Sequence, residues 1–360
     1  MEIVYFLTGL VFLIVGAEAL VRGASRMAAA FGIAPLIIGL TVVAFGTSSP
    51  ELAVSVQSAV SGQAGVAVGN VIGSNIFNVL GIIGLSALFV PLMVSAPVIR
   101  RDIPLLILVS LFIVLLGLDT RLSRIDGLLL LLIFLVYLRH LIRGGIRESQ
   151  RAGTHDTKAE KPERLAKSAW VLNAAMVVAG LALLILGSHL LVDGATQFAR
   201  HLGVSELVIG LTIVAVGTSL PELVTSVLAA VRGERDIAVG NIVGSNLFNS
   251  TVVLGVSSVI PQDGISLAAS VVRFDFPVMT GVAIVCLPLF FTGGIISRRE
   301  GVLLLGYYVA YTAYLYLAST HHDSLPGFSF AMLYVLLPLT AVFLGVVALR
   351  DILRRRRGSR

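Results

Sequence analysis

Residues 39–51 read GLTVVAFGTSSPE and recur at 210–222 as GLTIVAVGTSLPE, with 10 of 13 positions identical at an offset of 171. Further along, GNVIGSNIFN at 69–78 recurs as GNIVGSNLFN at 240–249, with 7 of 10 identical at the same offset. A shared offset across both blocks marks one duplicated unit, and a duplication narrows the architectures open to a chain more than any single motif does. Weaker echoes extend it: DIP at 102–104 with DFP at 275–277, and RIDG at 124–127 with RREG at 298–301.

The duplicated unit lies in a membrane. Of 360 residues, 57% are hydrophobic and 13% charged, against about 25% charged in soluble domains. Mean hydropathy is +0.97. A span needs about 20 mostly apolar residues, and eleven segments meet that length, near 3–22, 35–60, 65–92, 103–118, 126–142, 169–199, 206–230, 236–260, 275–292, 300–319 and 328–349. Each must satisfy its own backbone hydrogen bonds in hydrocarbon, so helices are expected. The first opens at Glu2 without a basic leader or small-residue cleavage site, and reads as a retained helix. Cys286 is the single cysteine, which excludes an intrachain disulfide and a cysteine metal site. The net charge of +6 sits beside spans, so it speaks for membrane topology and against nucleic acid.

An offset of 171 crosses five spans, an odd number, so the second copy must run through the bilayer inverted. The expected fold is an all-α polytopic membrane protein with a 5+5 inverted-topology repeat and an extra C-terminal helix. Residues 1–143 form the first repeat, 144–168 a mobile cytoplasmic linker without helical periodicity, 169–320 the second repeat, and 321–360 the extra span with a basic tail. With the N-terminus outside and the C-terminus cytoplasmic, 22 of the 26 Lys and Arg face inward, leaving Arg121, Arg124, Arg200 and Arg273 outside.

Inverted repeats are a hallmark of secondary transporters, whose sites lie near the midplane on broken helices. Pro50 lacks an N–H, clashes with the Gly46 carbonyl and is expected to push Ser49 from helical geometry; Pro221 should do the same to Gly217 and Leu220. Glu51 and Glu222 follow these prolines, with no intramembrane Lys or Arg near either motif. A carboxylate at membrane depth costs a few kcal/mol or more unless partnered, and a bound cation is the simplest partner. Thr47 with Glu51, Ser74 with Asn78, Thr218 with Glu222 and Ser245 with Asn249 stand four residues apart, each pair on one helix face. Carboxylate, hydroxyl, amide and carbonyl oxygens suit Ca2+ or Na+ and disfavour zinc and copper.

These paired blocks resemble the alpha repeats of the sodium/calcium exchanger family, in the calcium:cation antiporter superfamily. The resemblance implies ten exchanger helices, with the second, third, seventh and eighth around the ions and the first and sixth sliding against them. It makes Glu51 and Glu222 the main Ca2+ ligands. Thr47, Ser48, Thr218, Ser219, the carbonyls of Ala44 and Ala215, and Ser74 and Ser245 complete shared Ca2+ and Na+ sites. Asn249 departs from the pattern, because some members carry aspartate there, opposite the equivalent of Asn78.

The expected activity is exchange of Ca2+ for Na+ by alternating access in a prokaryotic cell membrane. The ions are substrates; no cofactor, obligatory protein partner or enzymatic activity is expected. Protonating both glutamates would equally neutralise the site, so Ca2+/H+ antiport is the alternative, and the change at Asn249 leaves K+ assistance open. The GNVIGSN and GNIVGSN motifs lack the further acidic residue typical of the proton exchangers, which favours Na+. A cation channel ranks lower, because channels assemble acidic rings from several subunits. No HExxH or GxSxG signature supports a membrane enzyme. Gly69, Gly73, Gly240 and Gly244 read as close helix packing, and Asp102 and Asp275 as interfacial partners of neighbouring arginines. Glu18, His189 and Asp193 are ionisable residues in the first and sixth spans without a settled role.

Overall fold

The computed structural model describes residues 2–31, 34–155, 167–202, 215–291, 293–343 and 345–346. Its helices are α1 (Glu2–Phe31), α2 (Pro35–Thr47), α3 (Ser49–Val60), α4 (Ala64–Phe89), α5 (Val98–Asp119), α6 (Arg124–His155), α7 (Lys167–His201), α8 (Ala215–Gly217), α9 (Leu220–Val231), α10 (Arg235–Val259), α11 (Val271–Phe291), α12 (Arg298–Ser319) and α13 (Leu325–Phe343). Among the described residues, nine helices are long and apolar enough to cross a membrane, and α2 with α3 makes a tenth, bent by 44°. The first part of the span expected at 206–230 falls largely on residues outside that description; its described remainder is α8 and α9.

The bend lies one residue earlier than the prolines suggest. Ser48 leaves the helix (φ −81°, ψ 8°), whereas Ser49 already belongs to α3 and Pro50 sits in its first turn. Ser219 likewise leaves the helix (φ −92°, ψ 10°), while Leu220 opens α9 with Pro221 in its first turn. A first-turn proline needs no intrahelical donor, so it starts the second half-helix rather than distorting the residue before it. The four helices α3, α4, α9 and α10 pack on one another around these breaks. α4 and α10 are largely enclosed by protein, whereas α13 buries no residue.

Around this core, α1 lies along α7 in an antiparallel pair spaced by glycine. A Cβ on Gly16 would come 2.8 Å from the Gly180 carbonyl, and one on Gly187 2.8 Å from the Gly9 carbonyl. Gly9, Gly16 and Gly23 recur every seven residues, and Gly180 and Gly187 are the repeat mates of Gly9 and Gly16. Removing Cβ at these crossings lets the backbones approach, which replaces the hydrophobic drive that lipid cannot supply. Gly240 and Gly244 do the same against Leu36 and Leu40 of α2. The repeat-related test for Gly69 and Gly73 falls on residues 203–214, outside the described residues.

The repeats are joined at both ends by short strands. β1 (Leu92–Met93) pairs antiparallel with β4 (Ile295–Ile296), and β2 (Arg121–Leu122) with β3 (Ile265–Ser266). The RIDG and RREG echo marks helix starts: Ser123 and Asp126 exchange hydrogen bonds at the start of α6, and Ser297 with Glu300 makes a capping box at α12. The arginines also separate by end. Arg121 and Arg124 reach Asp263 and Pro261, while Arg298 bonds Phe89 and Arg232 pairs with Glu18 at 2.7 Å.

Two local expectations change and a third holds. The backbone of α6 stays helical to His155, so residues 144–155 are not an irregular linker; the lack of an amphipathic pattern does not stop a span from running on past the apolar stretch. Residues 156–166 lie outside the described residues. Asp102 pairs with its neighbouring arginine as expected, accepting from Arg101 Nε and Nη2 at 2.7 and 3.0 Å and from Tyr137, and it is buried. Asp275 instead accepts from Tyr311 at 3.5 Å, with no arginine partner among the described residues.

Filling the glycine crossing tests this packing. Gly16→Val is expected to cost about 1–3 kcal/mol through overpacking, seen as a lower unfolding temperature in detergent. Gly306→Ala, with nothing within 4 Å of its added carbon, is expected to leave that temperature unchanged or raise it.

Candidate ion-binding site

The two helix breaks place Ser48 and Ser219 beside the glutamate of the opposite repeat. Ser48 Oγ donates to Glu222 Oε1 at 2.8 Å, and Ser219 Oγ donates to Glu51 Oε1 at 2.8 Å. Ser219 also lies 3.0 Å from Ser74 Oγ, and Ser245 Oγ lies 3.4 Å from both Glu222 Oε1 and the Ala44 carbonyl. All of these side chains are buried, and Glu51 and Glu222 are each fully enclosed, at 0% exposure. The second carboxylate oxygen, Oε2, of each glutamate has no hydrogen-bond donor among the described residues. A buried charged oxygen without a partner is among the costliest groups a protein can hold.

The threonines take a different part. Thr47 Oγ1 lies 3.0 Å from Asn241 Oδ1 and 3.3 Å from the Ala44 carbonyl, and Thr218 Oγ1 lies 3.3 Å from Asn70 Oδ1. The Ala44 carbonyl also keeps its backbone bond from Ser48 N at 3.0 Å, so Pro50 does not free it. The Gly46 carbonyl, four residues before Pro50, likewise accepts a backbone N–H at the end of α2. In the second repeat Ser219 N bonds the Val216 carbonyl at 3.1 Å, and Ala215 opens α8.

One turn along α4 and α10, the amides form a chain across the repeats. Asn78 Nδ2 donates to Asn246 Oδ1 at 2.9 Å, Asn246 Nδ2 to the Asn75 carbonyl at 3.2 Å, and Asn75 Nδ2 to Ser250 Oγ at 2.8 Å. The chain is asymmetric because Val79 stands where the second repeat has Ser250. Asn78 Oδ1 and both side-chain atoms of Asn249 are buried without partners among the described residues. Asn78 and Asn249 sit in π-helical turns, Phe77–Ile83 and Asn249–Val253, a distortion frequent at functional sites.

Hydrogen bonds gather nine of the twelve residues singled out from the sequence around the two glutamates, namely Glu51, Glu222, Thr47, Ser48, Thr218, Ser219, Ala44, Ser74 and Ser245; Asn78 belongs to the amide chain, Asn249 is buried without a partner among the described residues, and for Ala215 only the backbone is described. Reading the sequence missed Asn70, Asn241, Asn75 and Asn246. All four are identical between the repeats at the same offset, and that was the available signal. Glu18 lies outside the enclosure, in an ion-pair cluster with Arg22 and Arg232, and His189 and Asp193 are exposed.

An inverted repeat with paired broken helices and a buried, oxygen-lined centre defines a polytopic membrane transporter. Residues 1–143 and 172–317 match the family model for sodium/calcium exchanger protein, and the chain belongs to that family. It is 42% identical over 320 residues to a putative antiporter, CaxA, of Alkalimonas amylolytica, covering 87% of this chain and 98% of that one. It is 32% identical to the sodium/calcium exchanger MaX1 of Methanosarcina acetivorans, covering 86% and 97%. The solved structure of the sodium-calcium exchanger NCX_Mj soaked with Na+ and Sr2+ superposes with a TM-score of 0.74 at 33% identity, covering 87% of this chain and 97% of that one.

Because the serine–glutamate bonds are reciprocal, Ser48→Ala and Ser219→Ala are expected to lower stability by similar amounts, about 1–3 kcal/mol each, measured by thermal unfolding in detergent. A loss confined to one variant would show that the two halves are not equivalently held.

Proposed function

We propose that this protein exchanges Ca2+ for Na+ across a prokaryotic cell membrane by alternating access, with both ions bound between Glu51 and Glu222. The observation that carries the reading is the pair of enclosed carboxylates, each clasped through Oε1 by the opposite serine while Oε2 has no donor among the described residues. Two negative charges match one divalent cation, and Ca2+ accepts roughly 6–8 oxygens in a flexible shell. Glu51 and Glu222 supply charge; Ser48, Ser219, Ser74 and Ser245 supply hydroxyl lone pairs on either side. Thr47 and Thr218, the carbonyls of Ala44 and Ala215, and the amide oxygens of Asn78 and Asn249 extend the shell toward Na+. Asn249 gives a neutral oxygen where some family members have a carboxylate, which lowers the total charge the site can balance.

The empty enclosure would leave two uncompensated charges in a low dielectric. A carrier without ions therefore changes conformation reluctantly, and the outcome is obligatory exchange rather than leak. The names of MaX1 and NCX_Mj as sodium/calcium exchangers support the choice of ions. The excess of lysine and arginine in alternate loops supports an N-terminus outside and a C-terminus in the cytoplasm.

Proteoliposomes loaded with Na+ and diluted into Na+-free Ca2+ solution should take up Ca2+, and Glu51→Gln or Glu222→Gln should each abolish uptake in a protein that still folds. Uptake that ignores Na+ and follows a pH gradient would replace Na+ with H+ in this scheme. Full activity in either glutamine variant would remove that residue from the site.

A further inference from the structure

We propose that Asn70 and Asn241 are positioning residues that tie each glutamate-bearing helix to the threonine of the opposite repeat and turn that threonine into an oxygen donor for the ion. The proposal rests on the ion-exchange reading above. Each asparagine is a three-way junction. Asn241 Nδ2 donates to the Glu222 carbonyl at 3.4 Å and to Ser226 Oγ at 2.9 Å, while its Oδ1 accepts from Thr47 at 3.0 Å. Asn70 repeats the pattern, donating to the Glu51 carbonyl at 3.1 Å and Ser55 Oγ at 2.9 Å, and accepting from Thr218 at 3.3 Å. The six contacts are related in pairs by the offset of 171, so the junction is built twice.

The chemistry explains why an amide stands there. A hydroxyl has one hydrogen and two lone pairs, and a side-chain amide has two donors beside its acceptor. When Thr47 gives its hydrogen to Asn241, both its lone pairs remain for a cation, and the Ala44 carbonyl, its competing acceptor at 3.3 Å, keeps a lone pair as well. Aspartate could accept from the threonine but could not donate to the Glu222 carbonyl, and its charge would crowd Glu222. Leucine, of similar shape, could do neither. The junction also links motions: Asn241 holds the backbone of Glu222 and receives Thr47 from the other repeat, so a shift of one half-site moves a ligand of the other.

Pair-specific coupling tests this in the purified full-length chain, by isothermal titration with Ca2+ in detergent. Thr47→Val and Asn241→Ala should each weaken Ca2+ binding about tenfold, and the double variant should also lose about tenfold rather than a hundredfold. The mismatched double variant, Thr47→Val with Asn70→Ala, should lose about a hundredfold, because those residues do not touch. A residue that merely stabilises the bundle would not distinguish the two pairings. Should Asn241→Ala fail to fold, the repeat-related pair Thr218→Val and Asn70→Ala, with Thr218→Val and Asn241→Ser as the mismatch, runs the same cycle. Independent, multiplying losses in the matched pair would overturn the proposal while leaving the ion site in place. A wild-type chain that binds no Ca2+ would overturn the ion-exchange reading and this proposal together.

Discussion

The rest of the structure depends on the reciprocal bonds between Ser48 and Glu222 and between Ser219 and Glu51. They hold two fully enclosed carboxylates at the centre of the bundle, with no lysine or arginine paired to either among the described residues. The Oε1 of each glutamate is held by a serine of the half of the chain that does not carry it, while an asparagine of its own half holds its backbone carbonyl. Neither repeat can assemble the centre alone, and the duplicated sequence is thereby required to meet itself in the inverted orientation.

The surrounding architecture serves that meeting. The helix breaks at Ser48 and Ser219 turn each serine toward the opposite glutamate, and Pro50 and Pro221 restart the helix from the first turn, where no donor is needed. Glycine crossings bring α1 onto α7 and α2 onto α10 at backbone contact, so the four central helices are enclosed without a large apolar drive. The paired strands close the two ends, each joining one repeat to the other.

Much of this was legible in the duplication. Its odd span count dictated the inversion, and the Pro-Glu pairs pointed to the buried carboxylates that the structure brings together. What escaped was set by tertiary contacts. The bend falls at Ser48 rather than Ser49, because a first-turn proline fits a helix that simply starts over. Asn70 and Asn241 were passed over because their bonds run between segments far apart in sequence, and an asparagine beside glycine reads equally well as packing. Asp102 and Asp275 each accept from a tyrosine of a distant helix, Tyr137 and Tyr311, a contact that no local motif records, and they differ in that only Asp102 has an arginine partner among the described residues.

The same duplication shows where the halves differ. Val79 against Ser250 lets the amide chain run in one direction only, and among the described residues Asn249 has no partner where Asn78 is bonded. The centre is thus symmetric in its carboxylates and asymmetric in its amides. The most direct test of its role is a Ca2+ anomalous difference map of the protein crystallised with saturating Ca2+ and little Na+. The account predicts a peak between the repeats, about 2.3–2.6 Å from oxygens of both Glu51 and Glu222. A Ca2+ peak that touches only one glutamate, or none between the repeats, would contradict it.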